Sequence, residues 1–121
     1  MNNLKDMRTY LVGAMDRVAD GGIGWRQAIT PMLSELSVKV LNPCDKPIES
    51  AKEGPDTRTI IDYYKQTGQF NKIREEYGHI RNADLRCVDV SDFVIANIDM
   101  NVHMCGSYEE ISTANRQKKP I

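Results

Sequence analysis

Phe93-Val94-Ile95-Ala96-Asn97-Ile98-Asp99 is the stretch on which the fold turns. It is apolar almost without interruption and does not alternate with polar residues, so as an extended strand neither of its faces suits water. A strand of that kind is covered on both sides, as in a parallel α/β sheet. Working outward, Gly106-Ser107 precedes a helix expected from about Tyr108 to Gln117, and Lys119-Pro120-Ile121 reads as the lead-in to another strand. On the other side, Phe70, Ile73, Tyr77 and Ile80 recur at helical spacing after Gly68.

The N-terminal half repeats the pattern. Thr9-Tyr10-Leu11-Val12 is a short β-prone run cut off by Gly13, and Val38-Lys39-Val40-Leu41 is a second, ended by Asn42-Pro43. Between them a glycine-rich loop to Gly24 leads into a helix with Trp25, Ile29, Met32, Leu33 and Leu36 on one face, kinked at Pro31. The polar stretch Cys44 to Pro55 reads as a surface loop, and Asp56 or Thr57 caps a short helix through Tyr64. Strand, helix, strand, helices, strand, helix predicts one α/β domain over residues 1–121. Its core is an open parallel sheet of Rossmann or flavodoxin-like type with helices on both faces. In such sheets ligands bind beyond the C-terminal strand ends, where the loop after Gly13, Asp99 and the Gly106-Ser107 turn would gather.

Composition narrows the partners. The formal net charge is -1, from 16 basic and 17 acidic residues spread along the 121-residue chain, which gives no footprint for a nucleic-acid polymer or an anionic membrane. A small-molecule or protein partner is expected. There is no apolar run of membrane-spanning length and no signal-peptide core near Met1, so a cytoplasmic protein is expected. Cys44, Cys87 and Cys105 fit no ligand spacing and are expected as reduced thiols. His79 and His103 are expected as structural or surface residues, and no metal is expected.

Three constellations could carry chemistry, each with a bland alternative. Extending the stripe from Ile80 by four residues reaches Asp84 and by four more Val88, which puts a carboxylate where the pattern faces inward. It either bonds backbone groups near a break in the helix or belongs to a functional site. Ser107-Tyr108-Glu109-Glu110 has the S-x-x-E form of a capping box. Alternatively, Glu110 in the first helical turn stays ionised and acts as a nucleophile. The loop from Gly13 to Arg26 lacks both the P-loop and dinucleotide fingerprints. It is a plain turn, or its amides and Arg26 face a ribose or 5′-phosphate.

Taken together these residues resemble the nucleoside 2-deoxyribosyltransferase superfamily, which includes related nucleoside 5′-monophosphate N-glycosidases. The resemblance rests on Tyr10-x-x-Gly13, Gly24-Trp25-Arg26, Asp84-Leu85, the strand to Asp99, Gly106-Ser107-x-x-Glu110 and Lys119-Pro120, and is strongest from Asp84 to Glu110. It implies that Glu110 attacks the anomeric carbon to form a covalent glycosyl intermediate. Asp84, its pKa raised by burial, would assist the departing base, and Tyr10 would orient Glu110. The expected substrate-binding set is Gly13, Met15, Gly22, Trp25, Arg26, Asp99, Gly106 and Ser107. No cofactor is implied, and a homo-oligomer with shared sites is. Members often carry an acidic residue two positions before the Gly-Ser turn; Met104 stands there, followed by Cys105, and Asp99 is expected to substitute. Members also run on through a further strand and tail, so that a chain ending at Ile121 reads as a fragment or minimal variant. The leading expectation is transfer of a 2′-deoxyribosyl group between bases. Hydrolysis of nucleoside monophosphates and a non-catalytic nucleotide-binding module are the alternatives.

Overall fold

The computed structural model describes residues 1–15, 17–46, 51, 53 and 55–121, with residue 55 described only in its backbone. Asp16 of the glycine-rich loop and most of the stretch expected as a surface loop, residues 47–50, 52 and 54, lie outside it. Along the chain run β1 (Arg8–Gly13), α1 (Ile23–Glu35), β2 (Lys39–Leu41), a single 3-10 turn (Pro43–Asp45), α2 (Pro55–Gln66), α3 (Phe70–Val90), β3 (Phe93–Asn97) and α4 (Cys105–Arg116). The strands form one parallel sheet in the order β2-β1-β3. This is the open α/β architecture expected from the sequence.

The central strand explains the layering. β1 is buried along all but its first residue, and the pleat sends alternate side chains to opposite faces. Tyr10 and Val12 meet Val88 of α3, Val94 of β3 and Ala114 of α4 on one face. Leu11 meets Leu33 of α1 and Val38 on the other, with Trp25 and Ile29 packed against them. The strand order reverses at β1, since β2 lies on one side and β3 on the other. A crevice forms there at the C-terminal strand ends.

Helix ends follow local chemistry. After α2, Gly68 adopts φ +71° while the Gln69 and Gly68 amides donate to Tyr64 and Lys65 carbonyls, closing a Schellman motif. α1 and α4 end the same way, with Ser37 and Lys118 forced into the left-handed region at φ 58°.

Several expectations shift. α3 is continuous through Asp84, with no break, and its first stripe residue, Phe70 at the helix start, is 65% exposed. In α1, Met32 is half-exposed and Arg26 is buried, the helix continues through Pro31, and Leu36 is its C-cap. The stretch after Cys44 is only partly surface: Pro43, Lys46 and Ala51 are buried. Lys119-Pro120-Ile121 forms no strand, although the Val94 amide donates to the Pro120 carbonyl beside β3 at 2.9 Å. Among the described residues no helix is long and apolar enough to cross a membrane.

Candidate functional site

A cavity of about 270 Å³ opens at the C-terminal end of β1, between the loop after Gly13, the start of α4 and the middle of α3. Tyr10, Gly13, Met15, Arg26, Asp84, Gly106, Ser107 and Glu110 from the expected set all line it. Three others do not. Asp99 is exposed and caps its own turn, accepting from the Asn101 amide at 2.9 Å, so it does not stand in for the acidic residue replaced by Met104. Met104 itself is buried in the wall, 4% exposed. Trp25 packs beneath the loop, where its ring would lie 2.8 Å from a Cβ at Gly13. Gly22 is held at φ +80° directly against the Ala14 carbonyl and the Arg26 guanidinium, a position only glycine fits.

Arg26 has a different task from the one expected. Its Nε donates to Leu11 O at 3.2 Å, Nη1 to Gly22 O at 2.7 Å and Nη2 to Gly13 O at 3.1 Å. The guanidinium fork thus satisfies the carbonyls at the end of β1 and the start of α1, where the loop would otherwise bury them unpaired. Burial lowers its pKa from the usual arginine value. It forms the floor of the cavity; direct capture of a phosphate would compete with these bonds.

Glu110 is the centre of the wall opposite. α4 begins at Cys105, two residues before the expected capping serine, so Ser107 is already inside the helix and Glu110 occupies the second turn. No side chain caps α4, which removes the capping-box alternative. The Glu110 side chain turns inward, where Tyr10 Oη donates to Oε1 at 3.2 Å and Arg81 Nη1 donates to the same oxygen at 2.9 Å. Burial and then the Asp84 charge raise its pKa to about 7, against the lowering effect of Arg81 and Tyr10. The raised pKa comes from burial, and the helix N-terminus expected to hold the carboxylate ionised lies a full turn away. Tyr10 is pushed well above its usual pKa by burial and the Glu110 charge, so it stays a neutral donor.

Two cations organise the carboxyls. Arg81, on α3 and one turn before Asp84, reaches Glu110 as above, Asp84 Oδ2 at 3.6 Å, and Glu109 Oε2 at 2.7 Å through Nη2. Burial disfavours its cation, but Glu109 and Glu110 outweigh that and hold its pKa above the usual value. Lys46, only 2% exposed, reaches Asp84 Oδ1 at 2.6 Å and Glu53 Oε2 at 3.7 Å. Asp84 is thus ion-paired through both oxygens. Glu53 lines the cavity, hydrogen-bonds Asp84, and is raised to about pKa 8, first by burial and then by the Asp84 charge.

Sequence reasoning missed Arg81, Lys46 and Glu53. Arg81 had a signal, since an inward carboxylate on a helix calls for a cation three or four residues away. Lys46 and Glu53 had none; 38 residues separate Lys46 from Asp84. Cys105 and His103 were also expected to stand apart. Instead Cys105 Sγ lies 2.9 Å from His103 Nε2, both at the cavity mouth. Comparison with protein-family models, with curated proteins and with solved structures gives no match.

Proposed function

We propose that the protein cleaves the N-glycosidic bond of 2′-deoxynucleosides by double displacement at Glu110 and transfers the sugar to another base. The observation that carries the reading is the way Glu110 is held. Tyr10 and Arg81 both bond Oε1, which fixes the carboxylate and turns Oε2 to the work of attack on the anomeric carbon. The distances to neighbouring carboxylates agree. Glu110 Oε1 and Asp84 Oδ2 lie 2.9 and 3.6 Å from the same Arg81 nitrogen, so one guanidinium gathers both carboxyl groups at the cavity wall. Double displacement at Glu110 implies retention of configuration.

Hydrolysis of nucleoside 5′-monophosphates is the second reading, favoured by Arg17 and Lys65 on the cavity lining. With Arg26 committed to carbonyls, these two would meet the phosphate. The test is incubation with deoxynucleosides and their monophosphates, with and without a free acceptor base, followed by chromatography of the released base. Release that requires acceptor supports transfer, and release in water alone supports hydrolysis. The Glu110→Ala variant is expected to release none. Release by that variant at the wild-type rate, or none by wild type from any substrate, would overturn the reading.

A further inference from the structure

We infer that Glu53 is the group that hands a proton to the departing base, with Lys46 as its positioning residue and Asp84 as the anion that keeps the proton on Glu53. The inference rests on the glycosidic reading above and assigns the acid role within it.

The geometry separates the two carboxyls. Asp84 gives Oδ1 to Lys46 and Oδ2 to Arg81, and is 2% exposed. Glu53, its side chain 10% exposed, shares Lys46 with Asp84 at the longer distance of 3.7 Å and hydrogen-bonds Asp84. Two carboxyls can hydrogen-bond each other only if one holds a proton. With Asp84 held by two cations, that proton belongs on Glu53, in keeping with the raised pKa of about 8. Glu53 also lines the cavity, so its proton is within the same space as the substrate.

Charge balance supports the same assignment. Before reaction the cluster holds Lys46 and Arg81 as cations against ionised Asp84 and Glu110, with Glu53 neutral. In the first step Glu110 Oε2 forms a bond to C1′. The C1′–N bond breaks with its electron pair going to the base, and the Glu53 proton goes to the base nitrogen. Glu110 is then an uncharged ester and Glu53 a carboxylate, so the buried cluster is neutral again. In the second step the acceptor attacks C1′, gives its proton to Glu53, and the bond from C1′ to Glu110 breaks. No net charge is created in a desolvated site at either stage, which is what such a site favours. A proton leaving Asp84 would have had to come from between two cations.

A substrate that needs no proton isolates the role. An N7-methylated purine deoxynucleoside leaves as a neutral base without protonation, whereas the unmethylated one requires an acid. In single-turnover experiments, which read only the first step, Glu53→Gln is expected to slow base release from the unmethylated substrate by about 100-fold or more while changing release from the methylated one only a few-fold. The methylated substrate also reports that the variant is folded. In wild type, the single-turnover rate of base release from the unmethylated substrate is expected to fall as pH rises through about 8, a limb absent with the methylated one. The groups facing Glu53 across the cluster are Asp84, Lys46 and Glu110, and Glu53→Gln should remove that limb without removing the rise near pH 7 that belongs to Glu110. Equal losses on both substrates, or wild-type rates on both, would overturn the assignment, as would the same split appearing in Asp84→Asn instead. Inactivity of wild type on both substrates would overturn the glycosidic reading itself, and the two failures are told apart by that control.

Discussion

Replacing Glu110 with glutamine should make the protein more stable and inactive at the same time, and the gain should depend on pH in a defined direction. The folded-state pKa of Glu110 is about 7, above that of a free glutamate, so the folded protein holds the proton more tightly than the unfolded chain does. Its contribution to stability is fully present below about pH 4.5 and is lost as the pH rises through about 7. Above that, wild type carries an ionised carboxylate that its surroundings disfavour. At about 1.4 kcal/mol for each unit of pKa, a displacement of this size corresponds to about 3 kcal/mol. Glutamine keeps an acceptor for Tyr10 and Arg81 but does not ionise. The two proteins should therefore unfold within a few tenths of a kcal/mol of each other near pH 4 and diverge towards about 3 kcal/mol at pH 8.5, or roughly 10 °C in Tm. Urea unfolding followed through the single Trp25, repeated across this pH range, measures it directly. A constant difference across the range, or a less stable variant at pH 8.5, would refute the desolvation argument.

The remaining predictions concern the groups around Glu110. Arg81→Met removes the cation shared by Glu109, Glu110 and Asp84 and should cost about 3 kcal/mol near pH 8, with the rise of activity against pH moved upward; an unchanged pH profile would count against it. Arg26→Lys cannot reproduce a fork to three carbonyls and should lower stability by about 2 kcal/mol in denaturant titration, while Arg17→Ala leaves stability unchanged and raises KM for monophosphates over free nucleosides. Lys118→Gly relieves a left-handed backbone at the end of α4 and should raise stability by about 1 kcal/mol without altering activity.

The sheet was legible because its information is local. Phe93 to Ile98 and Thr9 to Val12 are apolar on both faces, and only a covered parallel strand satisfies them. The inward position of Asp84 was legible for a similar reason, as helical spacing carried the stripe from Ile80 through it to Val88. What periodicity could not supply was the start of α4. Ser107 and Glu110 match a capping box in sequence, but the helix begins at Cys105, and the inward pull on Glu110 comes from Tyr10, 100 residues away. Lys46 and Glu53 were hidden for the opposite reason. They sit in a polar stretch that reads as solvated, and only tertiary contact with Asp84 draws them inside. Arg26 was misread because a basic residue after a glycine turn suits a phosphate as well as it suits a row of carbonyls.

The committed guanidinium of Arg26 has an influence that reaches past its three bonds. Among the described residues it forms no salt bridge, its direct partners being three carbonyls and the Trp25 ring, so much of its positive charge remains as a field at the buried side of the cavity. An anionic ligand would gain from that field without touching the residue. Such an attraction weakens far less with added salt than one from rim side chains, because mobile ions cannot enter between source and ligand. Binding could thus be tuned at Arg17 or Lys65, while the background pull toward negative charge stays fixed by the same residue that holds the loop in shape.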